Sequence, residues 1–121
     1  MPPAWAEAEP TAIVETYLKG LVAGEGATAF DSLMSHSRVD ELKPREIALA
    51  KGQIQQGMSL YGKPSGFETV ARKAYGSSVV RLIYITKHAD LALVWNFHFY
   101  RAADDWQLLN FDFNDQLEKL E

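Results

Sequence analysis

The chain has 121 residues, 47% hydrophobic and 23% charged, with a formal net charge of −4 and no cysteine. That balance describes a single globular domain. It excludes the basic stripe that binding nucleic acid requires, since even the nearest cluster, Arg72, Lys73 and Arg81, stands beside Glu68. The missing thiols exclude disulfides, thiolate metal sites and thiol nucleophiles, and no apolar run reaches the ~18–20 residues of a membrane span.

The opening, MPPAWAEAEPTA, reads as a flexible leader over residues 1–10. Ala4-Trp5-Ala6 fits the small-x-small pattern of a signal-peptidase site and an acidic, proline-containing tail follows it, but the basic and apolar regions of a signal peptide are missing. Two readings stay open: a cytoplasmic protein with a disordered leader, and a periplasmic or secreted one whose upstream signal was removed.

A single domain is expected over 11–117, with a short tail at 118–121. Ile13, Val14, Tyr17, Leu18, Leu21 and Val22 recur at spacings of three and four, which predicts a helix from Thr11 to Ala23 with one apolar face. Thr11 suits the cap, Glu15 and Lys19 an i,i+4 pair, and Gly24 and Gly26 the stop. A shorter helix is predicted over Thr28–Met34, burying Phe30, Leu33 and Met34. Pro44 can open a third helix, whose inner face would carry Ile47, Ala50, Ile54 and Met58. The turn formers of YGKPSG close the helical half.

Four strands follow, Phe67–Tyr75, Ser78–Lys87, Leu91–Arg101 and Trp106–Asn114, joined by connections too short for crossovers. The expected architecture is therefore α+β, with N-terminal helices packed on one face of a curved, four-stranded antiparallel meander.

Alternation sorts the faces. In the third strand Leu91, Leu93, Trp95, Phe97 and Phe99 point to the helices, and Ala92, Val94, Asn96, His98 and Tyr100 point away. A three-residue connection to the fourth strand sets Phe97 opposite Phe111, Trp95 opposite Phe113 and Asn96 opposite Asp112; a slip of one residue would bury Asn110 and Asp112 among the aromatics. Leu109 then shares the inner face and Leu108 the outer. A two-residue turn at His88-Ala89 sets Leu82 opposite Trp95 and Arg81 opposite Asn96. The outer face would thus carry Arg81, Ile83, Ile85, Val94, Asn96, His98, Tyr100, Leu108, Asn110 and Asp112, with Arg81 and Asp112 placed to pair across Asn96. So apolar a back reads as an interaction surface.

The helix, short helix, third helix and four-stranded sheet ending in DDWQLLNFDFND resemble the NTF2-like superfamily, whose fold is called cystatin-like, and within it small bacterial members without an assigned function. The likeness covers Thr11 to Leu117, and its motifs are structural, a Trp entering the last strand (Trp106) and the alternation after it. It implies a pocket between the inner sheet face and the helices. Enzymes of that superfamily place carboxylates, tyrosines or histidines there, whereas this face offers Leu93, Trp95, Phe97, Phe99, Leu109 and Phe111.

Other constellations read as structure. GEGATA follows a helix, not the strand that a dinucleotide fingerprint needs. His36, His88 and His98 share no ligand spacing, so no metal site is expected; His88 reads as a turn residue and His36 as a surface one. Asp104-Asp105 and Ser77-Ser78 are turn chemistry. The expectation is a non-enzymatic homodimer without cofactor, metal, nucleic acid or membrane. Its interface would be Arg81, Ile83, Val94, Asn96, His98, Asn110 and Asp112. A small apolar ligand would be lined by Tyr17, Met34, Met58, Tyr84, Trp95 and Phe97. Two alternatives stand beside it: an isomerase, dehydratase or cyclase using Asp112 or His98, and an accessory module for another protein.

Overall fold

A computed structural model describes residues 9–35, 43–101 and 106–115; residues 1–8 of the leader, His36, the Asp104-Asp105 turn and the tail at 118–121 lie outside them. The first described helix, α1 (Pro10–Val22), buries Ile13, Val14, Tyr17, Leu18 and Leu21, the apolar stripe read from the sequence. It starts one residue earlier than the sequence reading, because proline fits a first turn. Thr11 therefore lies inside the helix and caps nothing; its hydroxyl accepts from Arg72 Nη1 at 2.8 Å. Glu15 likewise accepts from a sheet residue, Tyr84, at 3.0 Å.

Gly24, with φ +81°, turns the chain out of α1, while Gly26 opens the next helix and does not end the first. That helix, α2 (Gly26–Met34), buries Phe30, Leu33 and Met34. It crosses α1 at Gly20, where an added Cβ would stand 2.4 Å from the Cβ of Ala29, so only glycine permits this approach. The long helix α3 (Pro44–Tyr61) buries only Ile54 and Gly57, the latter against the Phe113 ring.

The sheet runs β1 (Gly66–Tyr75), β2 (Val79–Lys87), β3 (Ala92–Arg101) and β4 (Trp106–Asn114), in that spatial order and antiparallel throughout, with β1 and β4 as its edges. The helix-covered face is closed by aromatics. Tyr17 meets Trp95 edge-on at 5.7 Å between ring centroids, and Trp95 stacks on Phe113 at 4.9 Å. Phe97 stacks on Phe111, which Phe30 of α2 meets edge-on. This is the α+β arrangement expected from the pattern, helices first and meander after.

Two register details differ from the sequence reading. Leu82 stands opposite Phe97, and Tyr84 opposite Trp95, because the β2–β3 connection spans four residues and closes with His88 N–H donating to the Leu91 carbonyl at 2.9 Å. The shift is by an even number of residues, so no side chain changes face. In β4, Asn96 pairs with Asp112 and Phe97 with Phe111 as expected, but Leu109 is a bulge residue between Asn110 and Leu108. The extra residue reverses the alternation. Leu108 therefore enters the core opposite Phe99, and Leu109 is exposed. Val70 forms a similar irregularity in β1.

Candidate functional site

The outer face carries a hydrogen-bonded ladder across three strands. Arg81 donates to Asn96 Oδ1 through Nη2 at 2.9 Å and Nε at 3.3 Å, and Asn96 Nδ2 donates to Asp112 Oδ1 at 3.2 Å. The arginine thus pairs with the carboxylate through the amide, as the alternation suggested, reaching diagonally because its direct neighbour is His98. His98 Nδ1–H donates to Asn110 Oδ1 at 2.7 Å. Beneath the ladder Ile83 and Val94 are already buried, at 1% and 3% exposure, while standing outside the helix-facing core cluster. This face also carries half-buried Val79 and Ile85, and Tyr75 and Tyr100 are exposed on either side of Val79. All seven residues of the expected interface are on this side of the sheet.

A second polar group is buried under the sheet's far end. Trp95 Nε1–H donates to Thr86 Oγ1 at 2.9 Å, Thr86 contacts His88 Nε2 at 2.9 Å, and His88 Nδ1–H donates to the Gly62 carbonyl at 2.7 Å. The carbonyl can only accept, so the proton sits on Nδ1 and the Thr86 hydroxyl donates to Nε2. His88 is no surface turn residue: it fastens the end of α3 to the core, with the Tyr61 ring edge-on to it. The sequence carries a signal for this, because Thr86 and His88 are two apart on the strand side that also holds Tyr84.

The two core tyrosines differ. Tyr84 Oη–H donates to Glu15, and burial first, with the Glu15 charge helping, pushes its pKa up to about 12. Burial alone raises that of Tyr17 further, and its hydroxyl has no partner among the described residues. Leaving such a group unpaired costs about 1–3 kcal/mol.

Of the expected pocket residues, Tyr17, Trp95 and Phe97 pack on one another in the closed core, and Tyr84 is buried there with its ring against Phe67. Among the described residues, three cavities lie along α3. The first, the α2–α3 cavity of about 320 Å³, lies between α3 and the start of α2 and is walled by Leu21, Phe30, Ile54 and Met58, with Lys51, Gln55, Ser59 and Lys63 as its polar lining. A second, of about 400 Å³, shares Phe30 and Lys51 with it and adds Met34 and Ile47. A third, of about 240 Å³, runs from Met34 and Ile47 to Phe111 and Leu108. The Lys51–Asp31 ion pair, 2.8 Å long, spans the space from α3 to α2. Met34 and Met58, assigned to a pocket from the sequence, line these cavities; Lys51 and Lys63 were not among the residues expected there.

Neither Asp112 nor His98 lines any of these three cavities. Among the described residues no group of histidines and acids could hold a metal ion, and no helix is long and apolar enough to cross a membrane. No protein-family model, curated protein or solved structure matches the chain.

Proposed function

We propose that the chain is a non-enzymatic NTF2-like domain that holds a small apolar ligand beside α3 and pairs with a second copy through the outer face of its sheet. The observation that carries this reading is the chemistry of the α2–α3 cavity: apolar walls, and no carboxylate, histidine or tyrosine among its lining residues. Of the groups that do general acid–base work, the cavity lining offers lysines alone, and Lys51 is ion-paired with Asp31. Asp112 and His98, the candidates for an isomerase, dehydratase or cyclase, are engaged with Asn96 and Asn110 on the opposite side of the sheet. The ladder supports pairing: an Arg–Asn–Asp row fixed in position can set register between two copies, and Tyr75 and Tyr100 are the kind of exposed aromatics that anchor interfaces.

Native mass spectrometry of protein purified gently from its own host reads both halves at once. The expected spectrum is a dimer carrying a small-molecule adduct. A monomer at high micromolar concentration overturns the pairing, and a dimer that never carries an adduct or takes up an added apolar compound overturns the ligand.

A further inference from the structure

We propose that the α2–α3 cavity takes an amphiphilic monocarboxylate, its apolar body against Leu21, Phe30, Ile54 and Met58 and its carboxylate on Lys63; this rests on the ligand-binding reading above. The charge lining that cavity has one sign. Lys51 and Lys63 are its charged residues, in a chain whose net charge is −4. They are not equivalent. Lys51 is neutralised by Asp31 at 2.8 Å, with its ammonium 6.0 Å from the centroid of the Phe30 ring. Lys63 has no ion-pair or hydrogen-bond partner among the described residues, and its stem lies beside Gly24, with Cδ 3.5 Å from where a Cβ would stand there. A long stem along the cavity edge with a free ammonium at its end is how lysine covers apolar surface while keeping its charge available.

One uncompensated positive charge at the mouth of an apolar cavity matches one negative charge on the occupant. A phosphate monoester would bring nearly two, and the cavity lining has no arginine fork to receive its oxygens. Gly26 and Ala27, in the first turn of α2, form part of the same wall, and the positive end of a helix favours the same sign of ligand. The size agrees with a small amphiphile, since ~300 Å³ is the lower end of ordinary ligand pockets.

The test is calorimetric titration of the full chain with decanoate and with decanol, which share an alkyl chain and differ in charge. Decanoate is expected to bind at least about tenfold more tightly than decanol, the worth of one charged hydrogen bond. Lys63→Gln should bring decanoate to the affinity of decanol and leave decanol unchanged. Ala27→Trp, at an exposed wall position, should abolish both. Both substitutions are at exposed positions, so a thermal melt matching the parent shows that the fold is kept. Equal binding of the two probes, or full decanoate affinity in Lys63→Gln, overturns the carboxylate assignment while leaving an apolar ligand site intact. Failure of both probes to bind the parent chain overturns the cavity as a ligand site as well.

Discussion

The α1–α2 pair and α3 sit on the same sheet but are held to it in different ways. α1 buries a complete face, and Gly20 lets α2 approach to a distance at which no other residue fits. α3 is twice the length of α2 yet buries only Ile54 and Gly57. Its remaining described ties are partial packing by Ile47, Met58 and Tyr61, the Lys51–Asp31 pair, and the His88 bond to Gly62 just past its end. The three cavities described above agree with this division, for each lies against α3. Close packing excludes a ligand, and a helix held by a few specific contacts is where one can enter.

The comparison is broken most strongly at Thr86. Thr86→Val keeps the shape but leaves the Trp95 N–H and His88 Nε2 without partners in a buried site, at a cost of about 2–5 kcal/mol. Urea unfolding measures the loss. Native-state hydrogen exchange should locate it, with amides of α3 losing more protection than those of α1, because His88 is the latch for α3 alone. Equal loss in both helices would mean that α3 is as firmly docked as α1.

A pair of identical substitutions sharpens the contrast. Gly20→Ala places a Cβ 2.4 Å from Ala29 and should destabilise by about 1–3 kcal/mol despite alanine's better helix propensity. Gly52→Ala in α3 meets nothing within 4 Å and should stabilise by about 0.5–1 kcal/mol. Opposite signs for one chemical change, read as denaturation midpoints, are the signature of tight and loose packing. Like signs would refute it.

Some of this was legible in the sequence and some was not, for physical reasons. The β3–β4 register was legible because a one-residue slip would bury Asn110 and Asp112 among aromatics, a cost large enough to decide the pairing. The bulge at Leu109 was not, since Leu108 and Leu109 are equally apolar and either can face inward. The β2–β3 offset was missed because an even shift leaves every residue on its face, so the pattern cannot detect it. Gly20 reads as a helix defect until Ala29 is seen against it. The polar lining of the cavity was illegible because Lys51 and Lys63 come from separate segments; of the expected pocket residues Met34 and Met58 line cavities, whereas the aromatics are covered by the helices.

Alkali should destabilise the fold through its two buried tyrosines. The folded-state pKa of Tyr84 is raised to about 12 and that of Tyr17 is raised as well, so the native state holds protons that the unfolded state releases at about pH 10. The stability this provides is complete below pH 10 and is lost as the pH climbs toward 12. Two of the five tyrosines should therefore ionise only with unfolding, read by tyrosinate absorbance. Tyr17→Phe removes the one described buried hydroxyl without a partner and should flatten the alkaline slope with no loss of stability at neutral pH. A clear loss there would show that the hydroxyl has a partner after all.

The smallest effect is expected on the face that neither helical region touches. Asn96→Ala cuts the link between Arg81 and Asp112, a part-exposed polar row whose worth to a single chain is only about 0–1 kcal/mol. If the outer face joins two copies, the same substitution acts on groups that become desolvated on pairing, where an unpaired charge costs far more than it does in water. The dimer dissociation constant, from sedimentation over a concentration series, should then rise about tenfold, equivalent to ~1.4 kcal/mol, while the monomer's thermal midpoint barely moves. Comparable, small changes in both quantities would make the ladder an ordinary solvated back and move the search for function wholly to the cavities beside α3.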